Sequence, residues 1–133
     1  MIKGLAHVCF TVRDLDASIA FYCNILGFSH AFDFLNDEGV RFGVYLHVAG
    51  RTFIELFQTE KVEPPRGQSF QHICLEVDDI QGTVEQLRQA CVDVGEITLG
   101  SDNSWLAWLK DPDGNNIELH CYTPESKQTP SLA

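Results

Sequence analysis

AHVCFTVRDLDASIAFY, residues 6–22, and QHICLEVDDIQGTVEQL, residues 71–87, are two versions of one pattern. At an offset of 65 residues His7 falls on His72, Cys9 on Cys74, Val12 on Val77 and Asp14 on Asp79. Between these identities Val8 meets Ile73, Phe10 meets Leu75 and Leu15 meets Ile80. A second match lies downstream, where Phe53-Ile54-Glu55-Leu56-Phe57 aligns with Asn116-Ile117-Glu118-Leu119-His120 at an offset of 63. A repeat of this length marks one structural unit used twice. The two units should join near Glu63-Pro64-Pro65-Arg66-Gly67.

Each unit reads the same way. Alternation with Val, Phe and Thr over 5–12 predicts a strand. Asp14 or Asp16 can cap a helix reaching about Leu26, and Gly27 supplies its stop. Ile19, Tyr22, Cys23 and Leu26 mark one face of that helix. Three strands follow, near 29–35, 41–48 and 52–58, with Asn36-Asp37-Glu38-Gly39 as the turn between the first two. The second unit predicts a strand at 71–77, a helix at 79–91 and strands near 95–99, 105–110 and 116–122. Asp111-Pro112-Asp113-Gly114 is a strong turn signal before the last of these. The fold class is therefore α+β: two βαβββ modules in tandem, 1–62 and 69–124, forming one domain over 1–124. Their unpaired strand edges need cover, so a shared incomplete barrel is expected. The polar, proline-bearing segment 125–133 reads as a mobile tail.

The chain has 133 residues, enough for one domain with its own core. A net charge of −10 argues against nucleic acid and against an anionic membrane surface. No run of about 18 apolar residues is present, and the first residues lack the pattern of a secretory signal; a cytoplasmic location is the expectation. Five cysteines without CxxC spacing argue for free thiols rather than a disulfide framework.

Chemistry concentrates where the repeat does. His7 and His72 sit at equivalent first strands, and Glu55 and Glu118 at equivalent last strands. Each Glu lies in an apolar run, where a carboxylate is costly to desolvate without a cation or donor. Two related modules can bring both pairs together, which makes His7, Glu55, His72 and Glu118 the candidate metal ligands. Two imidazoles and two carboxylates suit Ni, Co, Zn, Mn or Fe(II). The alternative is an inherited pair of structural His–Glu contacts.

These features resemble the vicinal oxygen chelate superfamily (glyoxalase, bleomycin resistance and dioxygenase proteins), most closely its glyoxalase I-like branch. The resemblance rests on His7 opening the first strand, Phe21-Tyr22 and Leu26-Gly27-Phe28 in the helix region, QHICLEV around His72, and KDPDGNNIEL ending in Glu118. It implies one divalent metal per site and a homodimer whose sites draw on modules of one chain or two. It further implies a lactoylglutathione lyase-like lyase or isomerase that removes a proton next to a carbonyl through a metal-stabilised enediolate. Glu118 or Glu55 would be the catalytic base, and the substrate a small oxygen-bearing molecule. Relatives that use glutathione carry arginine four residues after the first ligand and asparagine four after the second. Thr11 and Thr59 stand there here, which argues against glutathione itself.

Thr11, His120 and Trp105 are the candidate substrate-binding residues. His120 shares the strand face of Glu118, and Trp105 and Trp108, three apart, should face opposite ways. Arg13, Arg41, Arg51 and Arg66 are further candidates for an anionic group. Cys9 and Cys74 read as packed thiols, His30 and His47 as solvated strand residues, and Phe10, Phe42, Tyr45 and Phe53 as core or interface. Within the same superfamily, an extradiol-type dioxygenase or a fosfomycin-type transferase would need only two His and one Glu. A metal-free drug-binding resistance protein would need none of the four.

Overall fold

The computed structural model describes residues 1–61 and 69–132. The expected seam at Glu63–Gly67, and Arg66 with it, lies outside them. The chain divides into two compact units, Met1–Pro64 and Pro65–Ala133, each built as a βαβββ module.

Module one runs β1 (His7–Val12), α1 (Leu15–Ile19), β2 (Ser29–Leu35), β3 (Arg41–Ala49) and β4 (Thr52–Gln58). The Asp14 side chain caps α1 by accepting from the Ala17 N–H at 3.0 Å. The helix then widens into a π-helical segment, Ala20–Ile25. This turns Phe21 and Tyr22 together into the core, so the buried face is Leu15, Ser18, Phe21 and Tyr22. The expected stripe of Ile19, Cys23 and Leu26 is only half-buried, because a regular 3.6-residue period does not survive the wider turn. Gly27, at φ +80°, ends the helix as expected.

The four strands form one sheet in the order β1-β4-β3-β2, with β1 and β4 parallel and the other pairs antiparallel. Alternation sends Phe10, Val12, Val44, Leu46, Ile54 and Leu56 to the helix side, all buried. His7, Cys9, Thr11, Glu55 and Phe57 therefore share the other side.

Module two repeats the scheme with β5 (Ile73–Glu76), α2 (Ile80–Gln89), β6 (Thr98–Leu99), β7 (Trp105–Lys110) and β8 (Asn116–Cys121), in the order β5-β8-β7-β6. The Asp79 side chain caps α2 through the Gly82 N–H at 3.0 Å. Ile80, Val84 and Leu87 of α2 are buried, as are Ala107, Leu109, Ile117 and Leu119 of the sheet. The DPDG turn is closed by Asp111, whose Oδ1 accepts from the Asp113 and Asn115 N–H groups, both at 2.9 Å. The Asn115 amide donates to Asp111 Oδ2 at 2.8 Å, and Gly114 takes φ +82°.

The segment expected to hang free as a tail is tied to the module. Lys127 N–H donates to the Asp102 carbonyl at 2.9 Å. The Ser104 and Ser126 hydroxyls, both buried, meet at 2.7 Å. Residues Thr129–Ser131 form a short 3₁₀ turn. A polar sequence concealed this docking, because its partners are polar groups of a distant loop rather than an apolar face.

Candidate metal centre

The parallel pairing of first and last strand carries the site chemistry in each module. Cys9 lies opposite Glu55 in β1–β4, and Cys74 lies opposite Glu118 in β5–β8. Each histidine stands two residues before its cysteine, so the repeat places a His, a Cys and a Glu on one face of each sheet. In module one His7 Nε2 is 3.9 Å from Glu55 Oε1. In module two His72 Nε2 is 3.0 Å from Glu118 Oε2. The Glu55 and Glu118 side chains are 19% and 12% exposed, while His7 and His72 are more open at 41% and 34%. Among the described residues both carboxylates form ion pairs with histidines, and each also has a cysteine thiol beside it. Low exposure with imidazole and thiol neighbours and no fixed cation is the condition in which a divalent cation is most welcome. The donors are borderline N and O, so the residues fit such an ion.

A third strand holds each histidine. Tyr45 of β3 pairs with Glu55, and its hydroxyl is 2.9 Å from His7 Nδ1. Trp108 of β7 pairs with Glu118, and its ring meets His72 edge-on with centroids 4.8 Å apart. Tyr45 and Trp108 are themselves related by the offset of 63 that relates the two glutamates. That relation was the available signal for both residues.

Register corrects the tryptophan assignment. Trp105 pairs with Cys121, which places it on the opposite side of the sheet from Glu118 and His120. Trp108, not Trp105, is on the site face, since residues three apart in a strand face opposite ways. His120 is on the site face and buried, with Nδ1 3.1 Å from Glu118 Oε1 and Nε2 3.5 Å from Asp102 Oδ2. The Gln128 amide donates to Asp102 at 2.6 Å and is the chief cause that holds this carboxyl below its ordinary range. Asp102 carried no motif; a loop contact brings it to His120.

Thr11 is exposed on β1 and lies opposite Phe57 on the site face. Phe57 belongs to an aromatic layer with Phe34 and Phe42, at ring separations of 5.0 and 5.8 Å. Tyr45 stacks between Phe32 and Phe53 at 4.9 and 5.0 Å. Of the residues expected to be core or interface, Phe10 is buried, whereas Phe42 is 44% exposed. The cysteines differ from the packed thiols expected. Cys9 and Cys74 are exposed on the site face. Partial desolvation, with the carboxylate opposite adding to it, raises both thiols, Cys74 to about 11. Arg41 pairs with Asp16 and, at 3.7 Å, with Asp33, so it braces module one rather than facing the site. His30 pairs with Asp33 at 2.8 Å and His47 with the Gly50 carbonyl at 3.0 Å.

The family described as the glyoxalase/bleomycin resistance protein/dioxygenase superfamily matches residues 4–119. The chain belongs to this superfamily. A probable lactoylglutathione lyase of Synechocystis sp. is 34% identical over 125 residues, covering 86% of this chain and 92% of that protein. The metallothiol transferase FosB of Staphylococcus epidermidis is 35% identical over 129 residues, covering 92% and 84%. A glyoxalase family protein from Enterococcus faecalis shares the fold, with a TM-score of 0.78 at 22% identity over 89% of this chain and 97% of that one. The superfamily relatives thus include named enzymes of two kinds, a lyase and a transferase. Among the described residues no helix is long and apolar enough to cross a membrane.

Proposed function

We propose that the protein is a metal-dependent lyase or isomerase of the glyoxalase I-like type. His7 and Glu55 of one module and His72 and Glu118 of the other would complete one divalent-metal site in a homodimer. The observation that carries the reading is the repeated pair of half-buried His–Glu contacts, at 3.9 and 3.0 Å, each opposite a residue that holds its histidine. A divalent ion bound there supplies Lewis acidity toward a substrate carbonyl. The chain supplies the rest. Tyr45, accepting from His7 Nδ1–H, leaves Nε2 free to ligate, and Trp108 fixes the His72 ring. Glu118 and Glu55 are the proposed proton carriers, one removing a proton beside the carbonyl and the other returning it to the neighbouring carbon. Their surroundings differ, since Glu118 touches a second imidazole, His120, where Glu55 has Phe57 two residues on. That asymmetry gives the two carboxylates distinct parts. Thr11 and His120 stand on the site face for a small oxygenated substrate.

Likeness to the metallothiol transferase supports a second reading, thiol addition at a site of two His and one Glu, in which Glu55 is no ligand. Metal analysis of protein purified without chelators separates the two. On the lyase reading Glu55→Ala and Glu118→Ala each lower bound metal by the equivalent that the four-residue site holds, and α-oxo substrates exchange their α-proton in deuterated water. Full metal in Glu55→Ala with no exchange would favour the transferase; no metal in the parent protein would end both readings.

A further inference from the structure

Module two carries a donor set that its twin lacks. One ligand atom each from Cys74, Glu118 and His120 lie within 4.8 Å of one another. In module one the positions equivalent to Cys74 and Glu118 are filled by Cys9 and Glu55, but the third is Phe57, which offers no donor. We propose that Cys74, Glu118 and His120 form a metal site of their own for a thiophilic divalent ion such as Zn²⁺, with Asp102 holding His120 from behind.

The His120 ring supplies the argument independent of proximity. The ring lies between two carboxylates, Glu118 Oε1 at 3.1 Å from Nδ1 and Asp102 Oδ2 at 3.5 Å from Nε2, and the buried Nε2 has no hydrogen-bond partner among the described residues. An ion on Nδ1 would leave the ring N–H on Nε2, pointing at Asp102, the carboxylate–histidine–metal arrangement that orients ligating histidines. Asp102 is already fixed for that task by the Gln128 amide at 2.6 Å and the Ser104 N–H at 3.2 Å. Donors on a tetrahedral ion bound at 2.0–2.3 Å lie about 3.3–3.6 Å apart, so closing the set takes side-chain movements of about 1 Å. The Cys74 thiol would release its proton to solvent, its negative charge then matched by the ion. Sulfur, nitrogen and oxygen donors together favour zinc over the harder ions that a purely N/O set accepts.

The set lies wholly in module two and does not depend on the four-residue reading, although Glu118, a ligand there, and His120, a substrate contact there, are common to both. Cobalt(II), titrated as the chloride into the reduced full chain, gives the test, because thiolate ligation to cobalt produces a near-ultraviolet sulfur-to-metal charge-transfer band. The band is expected in the parent, in Cys9→Ser and in the double variant His7→Ala/Glu55→Ala, and is expected to vanish in Cys74→Ser. Asp102→Asn, which keeps the shape of the loop, should weaken zinc affinity about 10- to 100-fold in competition with a chromophoric chelator. Cobalt bound without the band in the parent, a band that persists in Cys74→Ser, or a band lost in His7→Ala/Glu55→Ala would overturn the proposal. A band that survives while metal content proves indifferent to Glu55 would uphold it and sink the four-residue site instead.

Discussion

Asp111→Ala removes the residue that sets the start of β8, and with it the approach to Glu118. The Asp111 side chain accepts from two backbone N–H groups at 2.9 Å and from the Asn115 amide at 2.8 Å. Hydrogen bonds to a charged acceptor contribute about 1.5–3 kcal/mol each. Water can replace the acceptor for the half-buried Asn115 groups, but much less readily for the buried Asp113 N–H. Counting the Asp113 bond at the upper value gives a destabilisation of about 3 kcal/mol. Asp111→Asn keeps one oxygen acceptor without the charge and should cost about 1 kcal/mol. Both tryptophans, Trp105 and Trp108, lie in β7, so intrinsic fluorescence during urea denaturation reports module two directly. If Asp111→Ala unfolds within about 1 kcal/mol of the parent, the carboxylate clamp does not hold the turn, and the reasoning from these hydrogen bonds is wrong.

Gly43→Ala would set a methyl group 2.5 Å from Phe57 Cδ1 and 2.9 Å from the Leu56 carbonyl oxygen, so a loss of about 1–3 kcal/mol from overpacking is expected, read by thermal unfolding followed by circular dichroism; an unchanged transition would show that the Phe57 ring yields freely. Gln128→Ala removes the chief cause that lowers the Asp102 pKa. A carboxyl lowered in the folded state adds stability present above its unfolded pKa and lost as pH falls through the folded one. The variant should therefore be less stable than the parent at pH 7, with the gap closing below the ordinary carboxylate range; a gap independent of pH would assign Gln128 to packing alone.

Local pattern was enough for much of the fold. β2, β4 and β7 occupy the residues that alternation and turn chemistry predict, since Gly39 and Gly114 take the positive φ their turns require. It was not enough for α1, where Leu15, Ser18 and Tyr22 keep a helical spacing but the segment widens into a π-helix after Ile19 and leaves Leu26 half-buried. The His–Glu pairs were legible because a repeat copies chemistry as well as shape. Tyr45 and Trp108 were legible in principle through the same offset, but an aromatic residue in a strand resembles ordinary core until its register is known.

The sequence by itself determined that the unit is βαβββ, that it is used twice, and that each copy carries a histidine near the start of its first strand and a glutamate in its last. Periodicity and repetition are properties of the chain read in order, so they survive without coordinates. Only the tertiary structure decided which tryptophan faces Glu118, that 125–132 docks on a loop, and that His120 lies between Glu118 and Asp102 beside Cys74. These follow from strand register and loop contacts, where residues far apart in sequence meet by backbone geometry, and a one-residue change of register exchanges the two faces of a strand.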